Sequence, residues 1–188
     1  MKRTLLEMVQ SILSDMDSEP VNSISDSIEA QQIASVIEDT YYNMIAARVI
    51  PEHQELIKLT SLSDSTKPTH FQYPSRVKQL DRVAYNIDTQ AGRIDYNEII
   101  FIEPVDFLTR MVDNTSGVDQ VLDVNAGTTL LIRNDRMPRY YTSFDDLHIV
   151  MDAYDSSVES TLQESKTQAF GTKYPQFTIT DSFEPDIV

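Results

Sequence analysis

Three histidines, His53, His70 and His148, are the side chains of this 188-residue sequence best suited to moving protons or holding a metal near neutral pH. None has a second histidine or a carboxylate at the spacing that puts two ligands on one helix face, and no His-Glu-x-x-His pattern occurs. His148 alternates with Val150 and Asp152 along one strand face, opposite Leu147, Ile149 and Met151, and reads as an ordinary exposed strand histidine. The acid pairs Asp145-Asp146 and Asp152 with Asp155 have the residue types of a glycosidase. In a chain with 30 acidic residues, however, such pairs arise without chemistry. Asp123-Val-Asn-Ala-Gly127 resembles the start of a calcium loop, but its glycine comes one place early and Asn134 stands where the closing glutamate belongs. It reads instead as a hairpin turn. There is no Gly-x-Ser-x-Gly, phosphate-binding loop or dinucleotide fingerprint. The absence of cysteine excludes thiolate catalysis, disulfides and the usual structural zinc site. The residues thus assign no catalytic, metal or cofactor group, and the sequence reads as that of a non-enzyme.

The elements that would carry these residues begin with two amphipathic helices. Leu5, Val9, Ile12, Leu13 and Met16 recur at spacings of three and four, which predicts a helix from about Thr4 to Asp15, stopped before Pro20. Ala30, Ile33, Ala34, Ile37, Tyr41, Met44 and Ile45 give a second, capped by Ser25 or Asp26 and ending near Val49, ahead of Pro51. A lone helix pair has little core of its own, so its stripes need a partner on this chain or another. From Glu55 the period becomes two. Short strands are expected at Leu56–Thr60, His70–Tyr73, Leu80–Ile87, Val121–Val124 and Thr129–Ile132. Asn97–Ile102 reads as the best buried strand, and Tyr140–Tyr154 as an alternating stretch broken at Asp145-Asp146. Pro104, Val105, Phe107, Leu108 and Met111 predict one short helix over 104–114. The expected fold is α+β, with an N-terminal helix pair forming part of a helical bundle and a large β-sandwich-like region. Its divisions are a helical assembly region at 1–54, a β-rich region at 55–180, and a linker at 181–188 into a missing or docked element.

Composition narrows the class of partner. With 15 basic residues against 30 acidic, the net charge is −15. Residues 1–55 carry ten acids against three bases and residues 140–188 nine against two, while 56–139 are almost balanced at eleven against ten. So acidic a surface argues against binding nucleic acid through its phosphates, and would repel DNA from a channel wall. Four glycines are few for an all-β chain. No run is apolar for long enough to span a membrane, and no signal peptide is recognisable at the start. Nine tyrosines and seven methionines suit core and interface. Tyr41 and Tyr42 are adjacent on one helix, so only one can face its core.

Thr4-Leu-Leu-Glu-Met-Val-Gln-Ser-Ile-Leu13, the link Glu19-Pro-Val-Asn-Ser-Ile24, the long helix from Ile28 and the acidic step Asp181-Ser-Phe-Glu-Pro-Asp-Ile187 form a pattern. It resembles the head-to-tail adaptors of short-tailed bacteriophages, the tail tubular protein A or gatekeeper family. The likeness covers both ends and leaves out most of residues 55–155. It implies a virion protein, a head–tail connector assembled in the bacterial host cytoplasm as a homo-oligomeric ring, commonly a dodecamer. Such a ring binds the portal on one side and the tail nozzle protein on the other. DNA passes through its centre during ejection without sequence-specific contact. Subunit-interface candidates are Tyr41, Tyr42, Met44, Ile45 and Arg48, and candidates for docking on a partner are Phe183, Pro185 and Ile187. Other readings are another virion structural protein, and an acidic DNA mimic or inhibitory binding protein.

Overall fold

The computed structural model describes residues 2–48, 50–90, 92–111, 116–125 and 127–185. The chain is α+β and divides into two units: residues up to Gln54 together with those from Tyr174 onward, and Glu55–Lys173.

In the first unit, helix α1 (Leu5–Asp15) is set by its N-cap. The Thr4 hydroxyl accepts from the Glu7 N–H while the Glu7 carboxylate accepts from the Thr4 N–H, so two orphan donors are satisfied reciprocally. Leu5, Val9 and Leu13, four apart, are its buried residues. Helix α2 (Ile28–Ala47) is capped by Ser27, one or two places later than the sequence suggests. Ser23 and Asp26 are used instead in a capping box for the single 3-10 turn Ile24–Asp26. Ala30, Ala34 and Tyr41 are the buried residues of α2.

The apolar stripes of this pair find their partner within the chain. The extended segment from Tyr174 straps across them: Leu5 N–H donates to Phe183 O (2.7 Å), and Ile24 N–H donates to the Asp181 carboxylate (2.8 Å). Phe177 and Phe183 pack against the helix core with ring centroids 4.7 Å apart. The division expected at 180 therefore falls at Lys173/Tyr174, and residues 181–185 are docked on the helices of their own chain.

The second unit is built on an eight-stranded sheet. Its strands are β1 (Gln54–Ile57), β2 (Thr60–Ser61), β3 (His70–Gln72), β4 (Val77–Asn86) and β5 (Tyr96–Phe101). After helix α3 (Pro104–Arg110) and the hairpin β6 (Val118–Leu122) and β7 (Thr129–Arg133) come β8 (Tyr140–Thr142), β9 (His148–Met151) and β10 (Thr167–Lys173). The order is β1-β10-β4-β5-β8-β9-β3-β2, with β6–β7 a separate two-stranded sheet. β5 and β8 pair in parallel, so the chain must cross over between them, and α3 and the hairpin are that crossover. Val121, Leu130 and Ile132 of the hairpin and Phe107 of α3 join Phe71, Val83, Ile99 and Ile149 of the larger sheet in one buried core.

The strand read as best buried is not. β5 buries only Ile99, while Ile100 is 57% and Phe101 48% exposed. The most buried strand is β9, where Ile149, Val150 and Met151 are all covered although alternation sends them to opposite faces. Helix α3 ends at Arg110, and residues 112–114 of the predicted helix lie outside the described residues.

β10 and β4 run antiparallel with a register shift at Phe170/Gly171. A Cβ on Gly171 would lie 2.5 Å from the Gln79 carbonyl oxygen and 3.1 Å from Val77 Cγ1. Backbone cannot yield as a flexible side chain can, so Gly171→Ala is expected to cost about 2 kcal/mol. A urea midpoint unchanged from the parent protein would contradict this.

Candidate functional site

The interface candidates on α2 separate into inner and outer residues. Tyr41 is 2% exposed, its ring 5.1 Å from Phe177 and edge-on to His53, with its hydroxyl 3.3 Å from His53 Nε2. It is a core residue and is withdrawn as an interface candidate. Tyr42, Met44 and Arg48 are exposed and Ile45 is half-buried. Ile28 and Tyr42, fourteen residues apart, share a helix face turned away from Ala30, Ala34 and Tyr41, and Val36 lies beside it. Phe183 is half-buried against the helix pair and Pro185 is buried. Both are occupied within their own chain, which withdraws them as partner-docking residues. Ile187 lies outside the described residues. In the β unit, Tyr96 and Ile100 stand on the outer face of β5, and Val105 and Leu108 of α3 are also exposed.

Two histidines have surroundings the sequence does not reveal. His148 is half-buried rather than exposed, with Nδ1 2.7 Å from Asp145 Oδ2. Burial alone would raise the Asp145 carboxyl. Hydrogen bonds from the His148 ring and from the backbone N–H groups of His148 and Leu147 outweigh it and hold the carboxyl below its usual value. Asn125 donates to the same carboxylate from the β6–β7 turn, which leaves the calcium-like segment serving as a turn. His70 on β3 is wholly buried, and neither ring nitrogen meets a hydrogen-bond partner among the described residues. Loss of solvent pushes it down to about 4. Among the described residues no group of three or more His, Cys, Asp or Glu side chains is placed to hold a metal ion.

The arrangement with most chemical potential was missed at the level of sequence. A cavity of about 390 Å³ in the β unit is walled by Arg110 from α3, Arg133 from β7, Arg136 and Arg139 from the following loop, Tyr140 from β8, and Asp152 after β9. Ile102, Phe107, Met111, Val118 and Leu131 give it an apolar floor. Asp152, 6% exposed, organises one wall. Its Oδ1 accepts from the backbone N–H groups of Arg139 (2.8 Å) and Tyr140 (2.9 Å), and its Oδ2 holds the Arg136 guanidinium at 2.7 Å. Arg133 meets Asp135 at 3.6 Å, and Arg110 lies over the Tyr140 ring, 4.6 Å from its centroid. The signal available was the spacing Arg133-x-x-Arg136-x-x-Arg139, three of fifteen basic residues within seven positions.

Neither a protein-family model nor any curated protein matches the chain. Among the described residues no helix is long and apolar enough to cross a membrane.

Proposed function

We propose that this chain is a structural adaptor of a tailed-phage neck, assembling with its own copies into a ring between the portal and the tail nozzle. The observation that supports this reading is the outer face of α2. With the inner stripe covered by the strap from Tyr174, the helix still presents Ile28 at 76%, Val36 at 63% and Tyr42 at 39% exposure. Apolar side chains grouped on one helix face are a surface for association, and a neighbouring copy supplies a closing, heterologous contact for it. An acidic lining would let duplex DNA pass without sticking.

Mass by light scattering, with a negative-stain field, tests the proposal with and without purified portal protein. Closed rings that pair with portal are the expected result. A persistent monomer in both conditions would sink the adaptor reading and favour an inhibitory binding protein.

A further inference from the structure

The arginine-walled cavity carries an inference that stands on its own geometry and goes beyond assembly. Four arginines line it, and among the described residues the carboxylates that meet their guanidinium groups are Asp152 and Asp135. Two of the four positive charges are thus left without a carboxylate among the described residues, in a protein whose net charge is −15. Asp152 already serves Arg136 and two backbone N–H groups. Arg139 and Arg110 meet no carboxylate among the described residues, and the Arg110 guanidinium carbon lies 4.6 Å from the centroid of the Tyr140 ring. The Nε of Arg136 is buried without an acceptor. Like charges gathered in this way repel one another, and a matching anion relieves that repulsion.

We infer that this cavity binds an organic phosphomonoester: a phosphoryl dianion gripped by Arg110 and Arg139, with its apolar body on the floor. Three observations select that chemistry. A phosphomonoester carries close to two negative charges at neutral pH, which matches the two arginines that meet no carboxylate among the described residues, whereas a single carboxylate supplies one. Planar guanidinium forks match phosphate oxygens two at a time. The volume, about 390 Å³, lies in the range of small-molecule sites and leaves room beside the anion for a flat apolar group over Phe107 and Leu131.

Isothermal titration of the full chain with phenyl phosphate, inorganic phosphate and benzoate tests the inference. Phenyl phosphate is expected to bind saturably and more tightly than either of the others, inorganic phosphate because it lacks the apolar body and benzoate because it lacks the second charge. Arg139→Gln and Arg110→Gln should each weaken phenyl phosphate by about tenfold or more, the loss of one charge-assisted pair. Both side chains sit on exposed residues, so the fold should be retained, and Arg139→Lys should fall between parent and Gln variant. Arg82→Gln, on β4 outside the cavity, should bind as the parent does. Equal binding by the parent and both Gln variants would overturn the inference, as would the absence of saturable binding up to about 1 mM. Failure of all three probes, with loss of self-association in Arg139→Gln, would also overturn it and assign the cavity to an acidic segment of a neighbouring copy.

Discussion

Tyr41→Asp is expected to unfold the helix unit, while Tyr42→Asp leaves a folded subunit that no longer assembles. The two side chains are neighbours in sequence, with rings 5.6 Å apart, but one is 2% and the other 39% exposed. Removing the buried ring abandons its contacts with Phe177 and His53, and the aspartate that replaces it must be buried without a partner. Losing a core aromatic alone costs about 4 kcal/mol. A buried unpaired charge adds to this, and whole domains hold only about 5–15 kcal/mol. Far-UV circular dichroism should therefore lose helix signal in Tyr41→Asp. Tyr42→Asp gives up only the edge contacts of a part-exposed ring with Tyr41 and Phe177, so its thermal midpoint should fall far less than that of Tyr41→Asp, by the equivalent of about 1 kcal/mol, while light scattering reports monomer. Identical behaviour of the two variants would contradict both the core role of Tyr41 and the assembly role of the outer face.

Acid should destabilise the β unit through His70. The ring is wholly buried, and desolvation lowers its pKa from 6.5 to about 4. The charges of Lys67 and His148 act in the same direction, while Asp123 and Asp145 oppose it. The unfolded chain therefore takes up a proton before the folded one does. The contribution to stability is complete above pH 6.5 and falls away as pH drops through 4, at about 1.4 kcal/mol per pH unit and about 3 kcal/mol in all. Urea unfolding at pH 7, 5.5 and 4 measures the slope. His70→Leu, of similar volume, sacrifices no hydrogen bond and should change stability at pH 7 by less than about 1.5 kcal/mol while flattening the acid limb. An unchanged slope in that variant would show that His70 is not the responsible group.

The helices were legible because their information is local. Thr4 with Glu7 and the four-residue spacing of Leu5, Val9 and Leu13 fix α1 without reference to the rest of the chain. The hairpin at Asn125–Gly127 and the break at Asp146 were readable for the same reason, the latter carrying a positive φ of 58°. What stayed hidden was set by distance along the chain. The segment from Tyr174 has no apolar period, so nothing in it announces that Phe177 and Phe183 cover the helix stripes. The apolar run Ile99-Ile-Phe101 reads as core, but exposure depends on which faces other layers cover, and near Ile100 none does. The arginine cavity joins Arg110 to Arg133, Arg136 and Arg139 across the crossover, and net charge averages such a cluster away. His148 looked exposed because the hydrogen bonds that fold Asp145 back onto it belong to a turn rather than a strand.

The strap across the helix pair also dictates an order of events during synthesis. Asp181 reaches back to Ile24 over 157 positions, and the whole β unit lies between them. On a ribosome, α1 and α2 emerge before the β unit and yet wait for their covering segment until β10 has been made. Closing so long a loop is entropically far cheaper once the intervening residues have collapsed into a folded body that brings its two ends together. These helices are thus made before the β unit and finished after it, and their apolar stripes stay open to other chains throughout that interval.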